Sequence, residues 1–495
     1  MAVRRAFLEQ LAGRGEPSPK AADAALPAPS AIALLLNRTS FGIREAELSA
    51  ATAVGYDAWL EYQLAWEQID VAPLESQLAT ALPTLAMTNG QLLEQARAGG
   101  DQFQAVNELR VATFLRQVFS PRQLYEVMVE FWTNHFNVQH IDGPVRWFKT
   151  VEDRELIRRN ALGRFSDLLR GDARSPAMLY YLDNYVNVAA GPNENYAREL
   201  LELHTLGVNG GYSEADVAEV ARCFTGWTYT GGLGGVDVQF TFVRGRHDTG
   251  AKTVLGQSIA AGRGIEDGDQ VLDILLAHPS TARFLATKLV RRFVDDAPPA
   301  SLVDAVAATY ASSGGDIKAM LRTLLRSDEF KASADRKVRR PVEFLFGALR
   351  TLEATVSGSN YLRTIGEELN TLGQLHYFWP TPDGYPDTQA YWTNTAALLE
   401  RINIGLALAE NTLSPGIRVD VAALAGDAGT PEQLVDRLAQ RLLRRPLAAA
   451  DRARLVGLAT GPRGMGHRPL ASAETLPRAR ELVGTMLGSP YFQYR

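Results

Sequence analysis

PNENYARELLELHTLG, residues Pro192–Gly207, is the stretch from which the chain is read most directly. At about 100° per residue on a regular helix, Asn195, Arg198, Glu199 and Glu202 fall within an arc of about 100°. Glu194 and Thr205 flank that arc. Tyr196, Ala197, Leu200, Leu201 and Leu203 cover the opposite side and are suited to a core. Gly207 stands where a C′ glycine ends a helix. The same charges also suit a solvated face, because Glu194 with Arg198, and Arg198 with Glu202, have i,i+4 spacing. Two features point instead to a fixed constellation. The face holds an Asn and an Arg but no Lys, and His204 falls toward the apolar side.

Composition widens the frame. The chain has 495 residues, 46% hydrophobic and 22% charged, which is ordinary for a large globular core. The net charge of −5 is spread along the chain, so no basic stripe calls for nucleic acid. Cys223 is the single cysteine, which rules out an intrachain disulfide and a cysteine-based zinc cluster. No stretch is long and apolar enough to span a bilayer. Val3-Arg4-Arg5-Ala6-Phe7-Leu8 resembles the start of a twin-arginine signal, but Glu9, Gln10, Arg14, Glu16 and Lys20 interrupt the apolar run that export requires. Residues 1–30 therefore read as a lead-in, and the cytoplasm as the compartment.

Outward from the central stretch, helical periodicity prevails. The expected architecture is mainly α, a multi-helix orthogonal bundle. A main domain spans 31–412, and a helical extension, 413–495, packs on it. Ser120-Pro121 opens a helix that closes in Phe131-Trp132-Thr133-Asn134-His135-Phe136. Lys288, Arg291 and Arg292 read as a basic outer face with packed aliphatic stems. Between 228 and 256 the texture turns to Gly, Thr, Val and Phe, and Val236–Phe242 alternates as a strand does. This predicts a small inserted β-hairpin carrying His247, Asp248 and Lys252. Those residues either stand over a cleft or serve the turn itself. Residues 373–394, GQLHYFWPTPDGYPDTQAYWTN, hold three prolines and Gly384, which exclude a regular helix. Trp379, Asp383, Tyr385 and Trp392, with Tyr391 beside them, are the candidate substrate-binding residues of this loop, together with Asn195. The alternative is a loop plugged into the core by its aromatics.

Taken together, FWTNHFNV, ENYARELLELHTLGV, ARCFTGW, HDTGAKTVLG, KLVRRFV and RSDEF…KVRRPVEF resemble the domain-of-unknown-function 1800 family of bacterial proteins. The resemblance runs in order from about residue 31 to 410 or beyond. It implies a mainly helical protein and no particular reaction. Relatives often carry export signals, which implies the periplasm, and often sit beside sulfatase-like partner proteins, which implies polymer or envelope chemistry by association. The family motifs fall here on His135, Asn193–Gly207, Gly226-Trp227, His247-Asp248-Gly250-Lys252 and Gly384. Thr133 stands where many relatives have another histidine.

Two function classes follow. One is a metal-assisted hydrolase acting on an anionic or carbohydrate polymer. There Glu199 and Glu202, with His135 or His247, hold a first-row metal such as manganese, iron or zinc. Arg198 clamps the substrate anion, the unligated carboxylate acts as base, and Lys252 steadies developing charge, with Asp248 beside it. The other class is a non-catalytic scaffold whose polar network is structural and whose aromatic loop recognises carbohydrate or protein.

Overall fold

The computed structural model describes residues 26–495 apart from 142, 232–236, 359, 461–469 and 471. Most of the lead-in and part of the Gly-rich turn thus lie outside the described residues. The chain is 63% helical, so the mainly α expectation holds. Among the described residues the β-structure is three two-stranded antiparallel sheets rather than one hairpin. Trp227–Thr230 pairs with Gln239–Phe242 in the register Trp227 to Phe242, where one insertion was expected. Lys252–Val254 pairs with Gln257–Ile259 in a second, tighter hairpin, and Thr355–Val356 pairs with Ile417–Arg418. The second hairpin escaped the sequence reading because three-residue strands are too short to show a period of two. No described helix is long and apolar enough to cross a membrane.

One contiguous apolar core runs from Leu34 to Phe492, and three elements set into it position the site. The first is the helix Gln123–His135, which buries residues on every side and ends at Phe136. The second is the helix Pro279–Phe293. The His278 ring nitrogen accepts the Ser280 amide at its start, and Pro279 occupies the first turn, where no amide is needed. Leu285, Ala286, Leu289, Val290 and Phe293 line its buried side. Its last carbonyls, which lack helical partners, accept from the fully buried Arg38: Nη1 donates to Phe293 O at 2.6 Å and Val294 O at 3.2 Å. The third is the loop 373–394, where only Gln389–Trp392 forms a helical turn.

The central stretch departs from a regular helix. Asn195–Glu199 is α-helical, but Leu200–Thr205 is a π-helix. The wider turn moves the buried side. Leu203 is only partly buried, whereas His204 and Thr205 are fully buried. The Thr205 hydroxyl donates to Leu200 O at 2.6 Å and helps hold the turn open. Such turns concentrate at functional sites.

Candidate functional site

The candidate site is built outward from His135. Its ring is 1% exposed and packed among Phe131, Trp132, Phe136, Phe165 and Phe284. Nε2 lies 3.1 Å from the carbonyl oxygen of His204. A carbonyl only accepts, so Nε2 carries the hydrogen and donates. That carbonyl is available because the π-helix ends one residue on, at Thr205. Burial, reinforced by Lys288, holds the imidazole well below its usual range and hence neutral. Nδ1 is then a bare acceptor, and the Lys288 ammonium donates to it at 2.9 Å.

Lys288 stands on the wall of a cleft of about 280 Å³ between the first two helices and the aromatic loop. It keeps a partial exposure through the cleft it lines, yet protein surrounds it closely enough that burial pushes its ammonium down to about 8. Arg291, one turn on, lowers it further, while Asp387 and Asp383 oppose the shift. Among the described residues no carboxylate lies within 4 Å of the charged nitrogens of Lys288 or Arg291.

The remaining charges are largely paired. Glu343, 1% exposed, is an anchor for Arg292, Arg340 (3.0 Å) and Arg495 (2.7 Å), and the cations hold its carboxyl well below the usual range. Arg340 also reaches Glu130 at 2.8 Å, and Lys337 reaches Asp387 at 3.2 Å. Arg292 is one of several buried arginines with unpaired nitrogens. Its Nη1 is ion-paired to Glu343, but its Nε and Nη2 make no hydrogen bond, Nη2 lying 3.6 Å from Glu130. Across the cleft, Asp383 accepts from the Trp379 indole at 2.9 Å and from the Thr381 hydroxyl through the same oxygen.

The loop is held in place by the helix that carries His135. Asn134 donates to Tyr385 O at 2.9 Å and accepts from Tyr385 N at 2.7 Å, while Asn137 donates to Trp379 O and Thr381 O. Gly384 makes this approach possible: its φ is +74°, and a Cβ there would stand 2.2 Å from Asn134 O. Tyr385 donates its hydroxyl to Leu375 O, and Trp392 its indole to Pro386 O, so both rings are tied into the loop.

The sequence-predicted residues divide. His135, Asp383 and Tyr385 line the cleft. Trp379 holds Asp383, and Trp392 packs beneath Tyr385. Burial, then Glu202 and Asp383, raise the Glu199 carboxyl. Among the described residues, Glu202 accepts a hydrogen bond only from the Tyr212 hydroxyl, at 3.4 Å. Arg198 turns outward to Glu214 (2.7 Å) and Glu194 (3.2 Å), and Asn195 donates to Asp183. For these two the solvated-face alternative describes the geometry.

His247 and Lys252 both bond Asp267, at 3.2 Å and 2.7 Å, in a fully buried knot. Asp248 is paired with Arg222 at 2.7 Å, which holds its carboxyl down to about 2. This knot fastens the HDTG turn to the core. Among the described residues no three of His, Cys, Asp and Glu are placed to hold one cation, so His135, Glu199, Glu202 and His247 do not form a common ligand shell. The lone pair of His135 faces Lys288, and His247 faces Asp267.

Lys288, Arg291, Arg292, Arg340 and Asp387 were not among the predicted site residues. The expectation of an outer basic face is corrected by Arg292, which is 1% exposed. A signal was present. The helix Pro279–Phe293 contains no acidic residue, so within the helix its three cations on one side have no i±4 partner; Asp295 and Asp296 stand at i+4 from Arg291 and Arg292 only beyond its end.

The family model described as "Protein of unknown function (DUF1800)" matches residues 34–494. No curated protein and no solved structure matches the chain.

Proposed function

This chain belongs to the DUF1800 family of proteins of unknown function, and from that premise we propose that it is a hydrolase working in the cleft of Lys288, on an anionic or carbohydrate polymer. The observation that carries the reading is the Lys288–His135–His204 chain of hydrogen bonds. Because His135 accepts through Nδ1, Lys288 keeps its ammonium aimed at one partner and its other protons free for the cleft. A lysine titrating near 8 is mostly protonated at neutral pH and gives up a proton far more readily than an ordinary one. It is suited to act as the acid that protonates a leaving oxygen. Asp383 has no cation within 4 Å among the described residues, and burial, then Glu202 and Asp383, raise the Glu199 carboxyl. These carboxylates are the acceptors available to a water nucleophile. The loop, fixed by Asn134 and Gly384, carries Asp383 to the opposite wall.

A scaffold is the second reading, favoured by the loop's aromatic cluster, in which Tyr391 is 47% exposed. A panel of anionic and neutral polysaccharides and their chromogenic derivatives separates the two. The hydrolase reading expects turnover that falls as pH rises through about 8 and drops by about 10²-fold in Lys288→Met. Turnover unchanged in that variant refutes the acid role. Polymer binding without turnover on any member selects the scaffold.

A further inference from the structure

We propose that the cleft contains a discrete oxyanion subsite formed by Lys288, Arg291 and Arg292, and that its ligand also carries a hydroxyl or amine donated to Asp383. This deepens the functional reading and rests on it only in taking the cleft as the working site. Pair-by-pair accounting is the basis. Apart from Asp383, taken up below, the other cleft charges have internal ion partners: Glu130 has Arg340, and Asp387 has Lys337. Lys288 and Arg291 have no carboxylate within 4 Å among the described residues. They lie one turn apart on a helix with no acidic residue.

Arg292 supplies an independent observation. It is 1% exposed and lines the cleft, yet its Nε and Nη2 have no hydrogen-bond acceptor. Arg401 and Arg444 have the same two nitrogens unpaired, but Arg292 is the one that lines the cleft, where a ligand can supply the acceptor. The Nε–Nη2 edge is the guanidinium edge that receives two oxygens of one anion side by side. Glu130, 3.6 Å from Nη2, is already neutralised by Arg340, so it opposes an incoming anion weakly.

On the other wall both of Asp383's internal donors bond the same oxygen, Oδ1. Oδ2 has no partner among the described residues. A bare anion satisfies only the cations, and would be repelled by Asp383. A ligand with an added hydroxyl satisfies both walls. An oxyanion bound here holds Lys288 in its protonated form, which agrees with its role as an acid.

Calorimetric titration of the full chain at pH 7 with inorganic phosphate, glycerol 3-phosphate and glycerol tests the inference. Glycerol 3-phosphate is expected to bind about tenfold tighter than phosphate, the gain of a hydrogen bond to a charged acceptor. Glycerol gives no heat of binding. Arg291→Met, checked for folding by circular dichroism, weakens both anions by at least about tenfold, and Lys288→Met repeats the loss. Asp383→Asn keeps phosphate binding and erases the advantage of the ester. Equal affinity for the two anions, no saturable binding of either, or full binding by Arg291→Met overturns the subsite. Binding is read without turnover, so the two proposals fail separately. Anion binding with activity intact in Lys288→Met would remove the acid role alone. Absent binding with activity lost in that variant would remove the subsite alone.

Discussion

Lys288→Met is expected to make the protein more stable at neutral pH and less stable at high pH, and this reversal is the sharpest test of the site. The folded chain holds the lysine at about 8 against an ordinary value of 10.5. At about 1.4 kcal/mol per unit, keeping the ammonium buried at pH 7 costs roughly 3 kcal/mol. Methionine fills a similar volume without charge, but leaves His135 Nδ1 a buried acceptor without its donor, which costs about 1–3 kcal/mol. The net gain at pH 7 is about 1 kcal/mol.

The sign of the pH dependence follows from proton counting. Below about 8 both folded and unfolded wild-type chains hold the proton. Between about 8 and 10.5 the unfolded chain holds it and the folded chain has released it. Wild-type stability therefore rises with pH across that window relative to the variant, by up to roughly 3 kcal/mol. The variant should cross from more stable to less stable before pH 10.5. Urea unfolding of both proteins at pH 7, 8, 9 and 10 measures it, and the difference between them cancels other titrating groups. A difference that stays constant across that range would show that Lys288 titrates as an ordinary lysine, and the reasoning about the cleft would fall with it.

Gly384→Ala places a Cβ against Asn134 O at a positive φ, and should cost about 2–4 kcal/mol in urea unfolding and weaken anion binding together. Unchanged stability would mean that the loop is free to move off the helix. Asp267→Asn strips the charge facing the buried Lys252 and His247, and should cost about 3–5 kcal/mol by the same measurement. Activity per folded molecule stays intact; its loss would return the HDTG turn to the catalytic machinery. Arg198→Ala removes ion pairs that stand in solvent, and should leave melting temperature and turnover at wild-type values. A fall in turnover would restore Arg198 as the anion clamp.

How the site was distributed between sequence and fold can be traced residue by residue. Periodicity alone supports the helical class, because an apolar face repeating near 3.6 residues has few other uses. Ser213 and Asp216, three residues apart, have the spacing of a reciprocal helix cap, a signal confined to one turn, and its two amide bonds are 3.2 Å and 2.9 Å. Gly384 and the prolines marked an irregular loop. His135 and the acidic helix drew notice by residue type, but periodicity could not foresee that a π-turn would bury His204 and Thr205 in place of Leu203.

Which charges meet was the part left to tertiary structure. Arg198 and Arg292 are the same residue type on helices of similar pattern. One pairs with glutamates in solvent, and the other is sealed beside a cleft with two nitrogens unpartnered. His135 and His247 are both buried imidazoles, yet one accepts from a lysine and the other faces an aspartate 20 positions away. Local sequence determines which face of a helix is apolar, since neighbours three and four apart set it. The partner of a buried charge is chosen by chains that pack from distant positions, and its desolvation follows from that packing. The sequence alone therefore determined a helical protein with an unusual central helix. Only the folding of Lys288 against His135, 153 positions away, decided which lysine is buried beside the cleft.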